Sequence, residues 1–146
     1  MTTTGLDVFD TTLREANHWL RLMMVELQTD DRRKAYIALR ASLHTLRDRI
    51  GAMNAVHLGA QLPLILRGVF YEGWRPTETP TRERHLDQFI DHVGAKLPDE
   101  GKGEAGVVAR ACFAVMSQCL DRGEMKKLRG MLPHEVLNLW PDSLLG

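Results

Sequence analysis

Three groups of side chains in this 146-residue chain have the chemistry to build a site. The first is the charged run Leu39-Arg40-Ala41-Ser42-Leu43-His44-Thr45-Leu46-Arg47-Asp48-Arg49. Arg40, His44 and Arg47 stand at i, i+4 and i+7, so a helix places them on one side. Such a stripe suits an anion or an acidic partner. The alternative is ion pairing between helices, with acids such as Asp30, Asp31 or Glu72. Arg110 follows Arg40 by 70 residues, which favours arginines that pin helix ends.

The second group is Leu62 to Pro76, which carries Arg67, Tyr71, Trp74 and Arg75. Tyr, Trp and Arg are the residue types that dominate protein-binding hot spots. The alternative is that Tyr71 and Trp74 cap the core where the chain leaves it. The candidate interaction surface is therefore Arg67, Tyr71, Trp74 and Arg75, with Arg40, His44 and Arg47 beside it.

The third group is the remaining nucleophiles and metal-ligating types. Of the histidines, His85 and His92 with Asp91 lack an i, i+4 ligand pattern, and His18, His44 and His57 stand apart. His134-Glu135 opens like a zinc helix, but position 138 is Asn138. Cys112 and Cys119 are seven apart on a predicted helix, which holds their Cα atoms roughly 10 Å apart, too far for a disulfide. Ser42, Ser117 and Ser143 lack a nucleophile elbow. No metal, cofactor or catalytic residue is expected, and an enzyme is not the expected class.

The elements that must position these residues are helical throughout. Phe9, Leu13, Ala16, Leu20, Met23 and Leu27 repeat at spacings of four and three, predicting a helix over 9–27. Asp30 and Asp31 offer N-caps for a helix over 32–50, with Gly51 after it. Shorter helices follow over 53–62 and from Pro63 to Phe70. The stretch Trp74 to Thr81, with two prolines and three threonines, reads as a linker. Beyond it lie a helix over 86–97, a turn-rich loop over 98–103 and a helix over 104–122, closed by Gly123. The last is apolar nearly all round and predicted to be central. Helices over 124–132 and 133–140 end the chain.

The second half repeats the first. A shift of 70 residues aligns Trp19–Phe70 with Phe89–Trp140 without a gap. Leu20 meets Ile90, Leu43 meets Phe113, Leu46 meets Met116, Leu62-Pro63 meets Leu132-Pro133, and Phe70 meets Trp140. The expectation is an all-α fold: two tandem repeats of a four-helix unit, packed into one helical bundle. The halves are about 9–75 and 81–141, joined by a linker over 76–80, in one domain. Each half alone would bury only about 60% of its unfolded surface, so packing of the copies must supply the rest.

Composition narrows the function. Lys and Arg total 19, and so do Asp and Glu, which removes the overall basic excess of a nucleic-acid binder. No run of 18 apolar residues occurs, so no membrane span is expected, and the N-terminus lacks a secretory pattern. A cytoplasmic location is the expectation.

Several motifs resemble a known family. They are Arg47-Asp48-Arg49, Ala60-Gln61-Leu62-Pro63, Arg67-Gly68, Tyr71, Gly73-Trp74-Arg75-Pro76, Gly123-Glu124, Leu132-Pro133 and Leu139-Trp140. Together they look like the bacterial family catalogued as domain of unknown function 2267, over about Phe9 to Trp140. Phe70 departs from the pattern, where a second tyrosine before Tyr71 is common. The resemblance implies a small helical cytoplasmic protein with an accessory binding role, and no reaction. The leading expectation is a non-enzymatic interaction or regulatory module with a protein partner. The alternatives are a small-molecule sensor with a pocket between the halves, and a nucleic-acid-binding protein using Arg32, Arg33, Lys34, Arg40 and Arg47.

Overall fold

A computed structural model describes residues 3–141, and among them every regular element is helical. Seven α-helices run α1 (Asp7–Leu27), α2 (Arg32–Ile50), α3 (Ala52–Ala60), α4 (Leu64–Tyr71), α5 (Leu86–Gly94), α6 (Ala105–Cys119) and α7 (Arg122–Gly130). Short 3-10 turns lie at Pro76–Glu78, Asp99–Glu104 and His134–Leu139. No helix among the described residues is long and apolar enough to cross a membrane.

Local chemistry sets the boundaries. Asp31 caps α2 by accepting from the Lys34 N–H at 3.1 Å, and Asp121 caps α7 by accepting from the Glu124 N–H at 2.8 Å. Gln28 ends α1 in the left-handed region, φ 53°. Pro63 and Pro133, both with φ −56°, stand just before α4 and the last 3-10 turn. The bounds of α7 fall 70 residues after those of α3.

α2 and α6 form the centre. Leu43, Leu46, Val115 and Met116 are fully buried, and Ala38, Ala41, Ala109 and Ala111 let the backbones approach closely. α1 packs on both α2 and α6, and so does α5. α3 and α4 cover α2, while α7 and the last 3-10 turn cover α6. One hydrophobic cluster runs through all of them.

Several expectations need correction. The segment before Trp140 is a 3-10 turn, not an α-helix. Gly123 lies inside α7; α6 ends at Cys119, where Leu120 turns extended to free Asp121 as a cap. The helix predicted over 86–97 stops at Gly94. Phe9 and Leu13 do not join the core stripe: Phe9 is 51% exposed, because the face that α1 turns inward there carries Asp10 and Thr12 instead. The stretch 74–81 is anchored rather than slack, with a 3-10 turn and a bond from the Thr81 N–H to the Asp48 carbonyl at 2.8 Å.

Phe113 shows what the centre is worth. Its ring stacks on Trp140 at 4.3 Å between centroids and faces Phe89 at 6.2 Å. Phe113→Ala should lower unfolding free energy in urea by about 3–5 kcal/mol, the cost of a large buried cavity. A loss below about 1 kcal/mol would show that α6 tolerates a void at its centre.

Candidate functional site

The charged stripe of α2 points at the end of α4. Arg47 is buried; its Nη1 donates to the Phe70 and Glu72 carbonyls, each at 2.9 Å, and its Nε donates to Asp48 at 2.8 Å. His44 Nε2 donates to the Val69 carbonyl at 2.6 Å. Arg40 grips the Glu72 carboxylate through Nε at 3.1 Å and Nη2 at 2.6 Å. These donors satisfy the carbonyls that the last turn of α4 leaves open, and a positive charge there also opposes the helix dipole favourably. Of the acids considered as partners, Glu72 is the one used.

Arg67 performs the same service for α3. Its guanidinium donates to the Gly59, Ala60 and Leu62 carbonyls at 3.0, 3.3 and 3.1 Å. The Tyr71 hydroxyl reaches back to the Ala55 and Val56 carbonyls at 3.4 and 3.3 Å, and Gly59 has no Cβ to block it. Tyr71 stacks on Trp74 at 5.4 Å. Trp74 is half-buried, and its indole N–H has no acceptor among the described residues. Arg75 is exposed and meets only Glu78, at 3.6 Å. Of the seven candidate residues, five have their polar groups engaged inside the chain. Only Trp74 and Arg75 keep one facing outward or unmatched.

Neither thiol is a nucleophile. Burial pushes Cys112 up to about 12, only partly offset by the Ser42 hydroxyl, and pushes Cys119 up to about 11. No group of three or more metal-ligating side chains converges among the described residues. Two of the three basic residues at the start of α2 also have partners within the chain. Arg32 bonds Asn17, and Lys34 pairs with Glu104 at 3.3 Å.

One polar cluster had no signal in the sequence. Glu83 is buried against α2 and α5. Its carboxylate meets Arg49 at 3.6 Å, accepts from the Thr81 hydroxyl and touches His92 Nδ1. Lys96 closes it by donating to Thr45 Oγ1 at 2.9 Å. An acid beside a Pro-Thr linker looks solvated in a sequence; only the fold shows that the strap over 79–83 lies on α2.

Two of the hollows among the described residues lie between the helices. A groove of about 760 Å³ lies between Arg14–Trp19 of α1, the α3–α4 corner at Ala60–Leu64, and Gln118–Leu120 at the end of α6. A second hollow of about 450 Å³ lies between the start of α2 and the segment 97–108.

The family model described as "Uncharacterized conserved protein (DUF2267)" matches residues 16–139. The chain belongs to this family. The match starts inside α1 and ends at the last 3-10 turn, so it spans all three walls of the large groove except Arg14 and Glu15. No curated protein matches the chain.

His44 gives a pH test of this construction. Burial holds its pKa below the ordinary 6.5, with Arg47 and Arg40 adding to the effect against the opposing Val69 bond. The unfolded chain then takes up a proton near pH 6.5 that the folded chain refuses, so stability falls as pH drops through that value. His44→Gln keeps a donor for Val69 and should flatten that fall between pH 7.5 and 5.5. Equal slopes in parent and variant would show that His44 is not the group responsible.

Proposed function

We propose that this protein is a non-enzymatic interaction module built by duplication of a four-helix unit, and that the outer face of its first copy binds a protein partner. Support for the duplication comes from reciprocal packing. α1 rests on α2 and reaches across to α6; α5 rests on α6 and reaches across to α2. α1 meets α4 as α5 meets the last 3-10 turn. Arg40 and its counterpart Arg110 both bind the end of their own fourth element, Arg110 through the Asn138 carbonyl at 2.8 Å. Those halves correspond to about 9–75 and 81–141, one domain in all.

The observation that carries the function is an asymmetry between the copies. Of the ten exposed large apolar side chains among the described residues, nine lie in residues 6–65. Their counterparts 70 residues on are polar or small: Met53 faces Gly123, Val56 faces Lys126, Leu64 faces His134, and Ile65 faces Glu135. The same fold position is solvated in one copy and greasy in the other, so folding does not demand the grease. Met53 is 85% exposed, beside the Tyr71–Trp74 stack that Val56 helps to anchor. Thr12 Oγ1 accepts from the Ile65 N–H at 3.1 Å, which brings the exposed Phe9–Leu13 turn alongside Leu64 and Ile65. Contiguous exposed apolar surface marks interaction sites. The catalytic alternatives have no activated nucleophile, and the nucleic-acid alternative has lost most of its free cations to internal partners.

The second copy supplies the control. Leu64→His with Ile65→Glu, which imports the second copy's residues, should abolish capture of partners from the native host without lowering the melting temperature. His134→Leu with Glu135→Ile should leave capture intact. Retention of every partner by the first variant would remove this face from consideration.

A sensor role remains a second reading, favoured by the smaller hollow. Ile37, Ala38, Leu97, Pro98 and Val108 give it an apolar floor between the copies, and the Lys34–Glu104 pair guards its mouth. A ligand at 100 times its Kd would stabilise the fold by about 2.7 kcal/mol, a clear rise in melting temperature. A flat response across an amphipathic metabolite panel would eliminate it.

A further inference from the structure

We propose that the groove between α1, the α3–α4 corner and the end of α6 docks an extended, acidic peptide segment of a partner protein. This deepens the interaction reading and rests on the duplication proposed above.

At the matching position of the second copy, the chain lays an extended strap of its own along the end of α2. Thr79 is extended, φ −120° and ψ 155°, and the strap from Thr79 to Glu83 crosses the end of α2. The Thr81 N–H donates to the Asp48 carbonyl at 2.8 Å, Arg49 Nε donates to the Glu83 carbonyl at 2.8 Å, and Pro80 lies against Gly51. Seventy residues beyond Asp48, Arg49 and Ile50 stand Gln118, Cys119 and Leu120, the end of α6 that walls the open groove. Seventy residues before the segment 84–89, into which the strap leads, stands 14–19, the opposite wall.

The difference lies in what precedes that wall. Residues 9–13, the counterparts of the strap, are wound into α1. The helix runs straight on, and the groove it would otherwise cover stays open. The two positions therefore differ because one copy begins with a strap and the other with a helix.

The walls define the occupant. A volume of about 760 Å³ fits the range of about 300–1,000 Å³ typical of ligand clefts. Exposed Leu64 and half-buried Leu120 supply apolar contact, over a floor of buried Trp19 and Leu62. Extended peptides gain affinity from backbone bonds and specificity from alternate side chains. Among the described residues, neither Arg14 nor Arg67 pairs with a carboxylate: Arg14 bonds Thr11, and Arg67 holds only carbonyls. Against them stands one acid in the walls, Glu15. In the second copy Arg49 meets the acid of the strap; here Cys119 takes its place, and the cations come from α1 and α4 instead. An acidic side chain in the bound segment would meet exposed Arg14, within the positive field of Arg67, whose donors stay on their carbonyls.

Display of random seven-residue peptides on the full chain tests the idea. Ala60 is exposed at the groove's lip, so Ala60→Trp fills the groove without entering the core. The expected result is enrichment of Asp- or Glu-containing peptides on the parent. Synthetic copies of these should bind at least 10-fold more weakly to Ala60→Trp and to Arg14→Glu. Arg14 is exposed, so the second variant carries the test if the first misfolds. No enrichment, or equal binding by the variants, overturns the proposal. So does a concentration-dependent dimer that Ala60→Trp abolishes, which would make a second copy the occupant. If Leu64→His with Ile65→Glu loses partners while Ala60→Trp and Arg14→Glu keep them, the interaction reading stands and this one fails.

Discussion

Everything in this fold hangs on the contact between α2 and α6. Each of the other α-helices packs on one or both of them. A helix with neighbours on several sides must be apolar over most of its circumference. α6 meets that demand with Val108, Ala109, Cys112, Phe113, Val115 and Met116. α2 meets it differently. Its buried face includes His44, Thr45 and Arg47, polar groups that would each be costly without a partner.

That cost explains why the most suggestive residues became structural. A short helix such as α4 leaves its last carbonyls open, and here they face the interior rather than water. A buried carbonyl needs a donor, and a long cationic side chain from the neighbouring helix reaches several at once. Arg47 satisfies two carbonyls and Arg67 satisfies three. The charge itself is balanced by Asp48 for Arg47 and by Glu72 for Arg40. Removing one partner from such a set leaves the other stranded, which makes the arrangement costly to alter.

The sequence disclosed what depends on local periodicity and caps. Asp31 and the prolines at 63 and 133 mark boundaries that the structure keeps to within a few residues. It was silent where tertiary contact decides. Phe9 and Leu13 continue the stripe of α1 at the correct spacing, yet the face turned inward there carries Asp10 and Thr12 instead. Glu83 sits among threonine and arginine in a segment with linker composition, and only the strap's path across α2 buries it. The candidate residues split along the same line. Helical spacing put Arg40, His44 and Arg47 on one face, but spacing cannot say whether that face meets water or the end of another helix.

Under the duplication proposed above, silence of this kind becomes a usable comparison. Where two copies share a position, the core sets what both must keep: Phe70 and Trp140 are both buried and both end their copy. Where they differ on the outside, packing is not the cause. Leu64-Ile65 and His134-Glu135 follow prolines of the same φ, the first pair into α4 and the second into the last 3-10 turn. The second copy solves that corner with charge: Glu135 accepts from the Leu86 N–H at 2.9 Å and meets His85 at 3.1 Å. The first solves it with the Thr12 hydroxyl and leaves two apolar side chains in water. Both solutions hold the corner, so holding the corner does not explain the leucine and isoleucine. That excess of exposed apolar surface is what the proposed partner-binding face rests on.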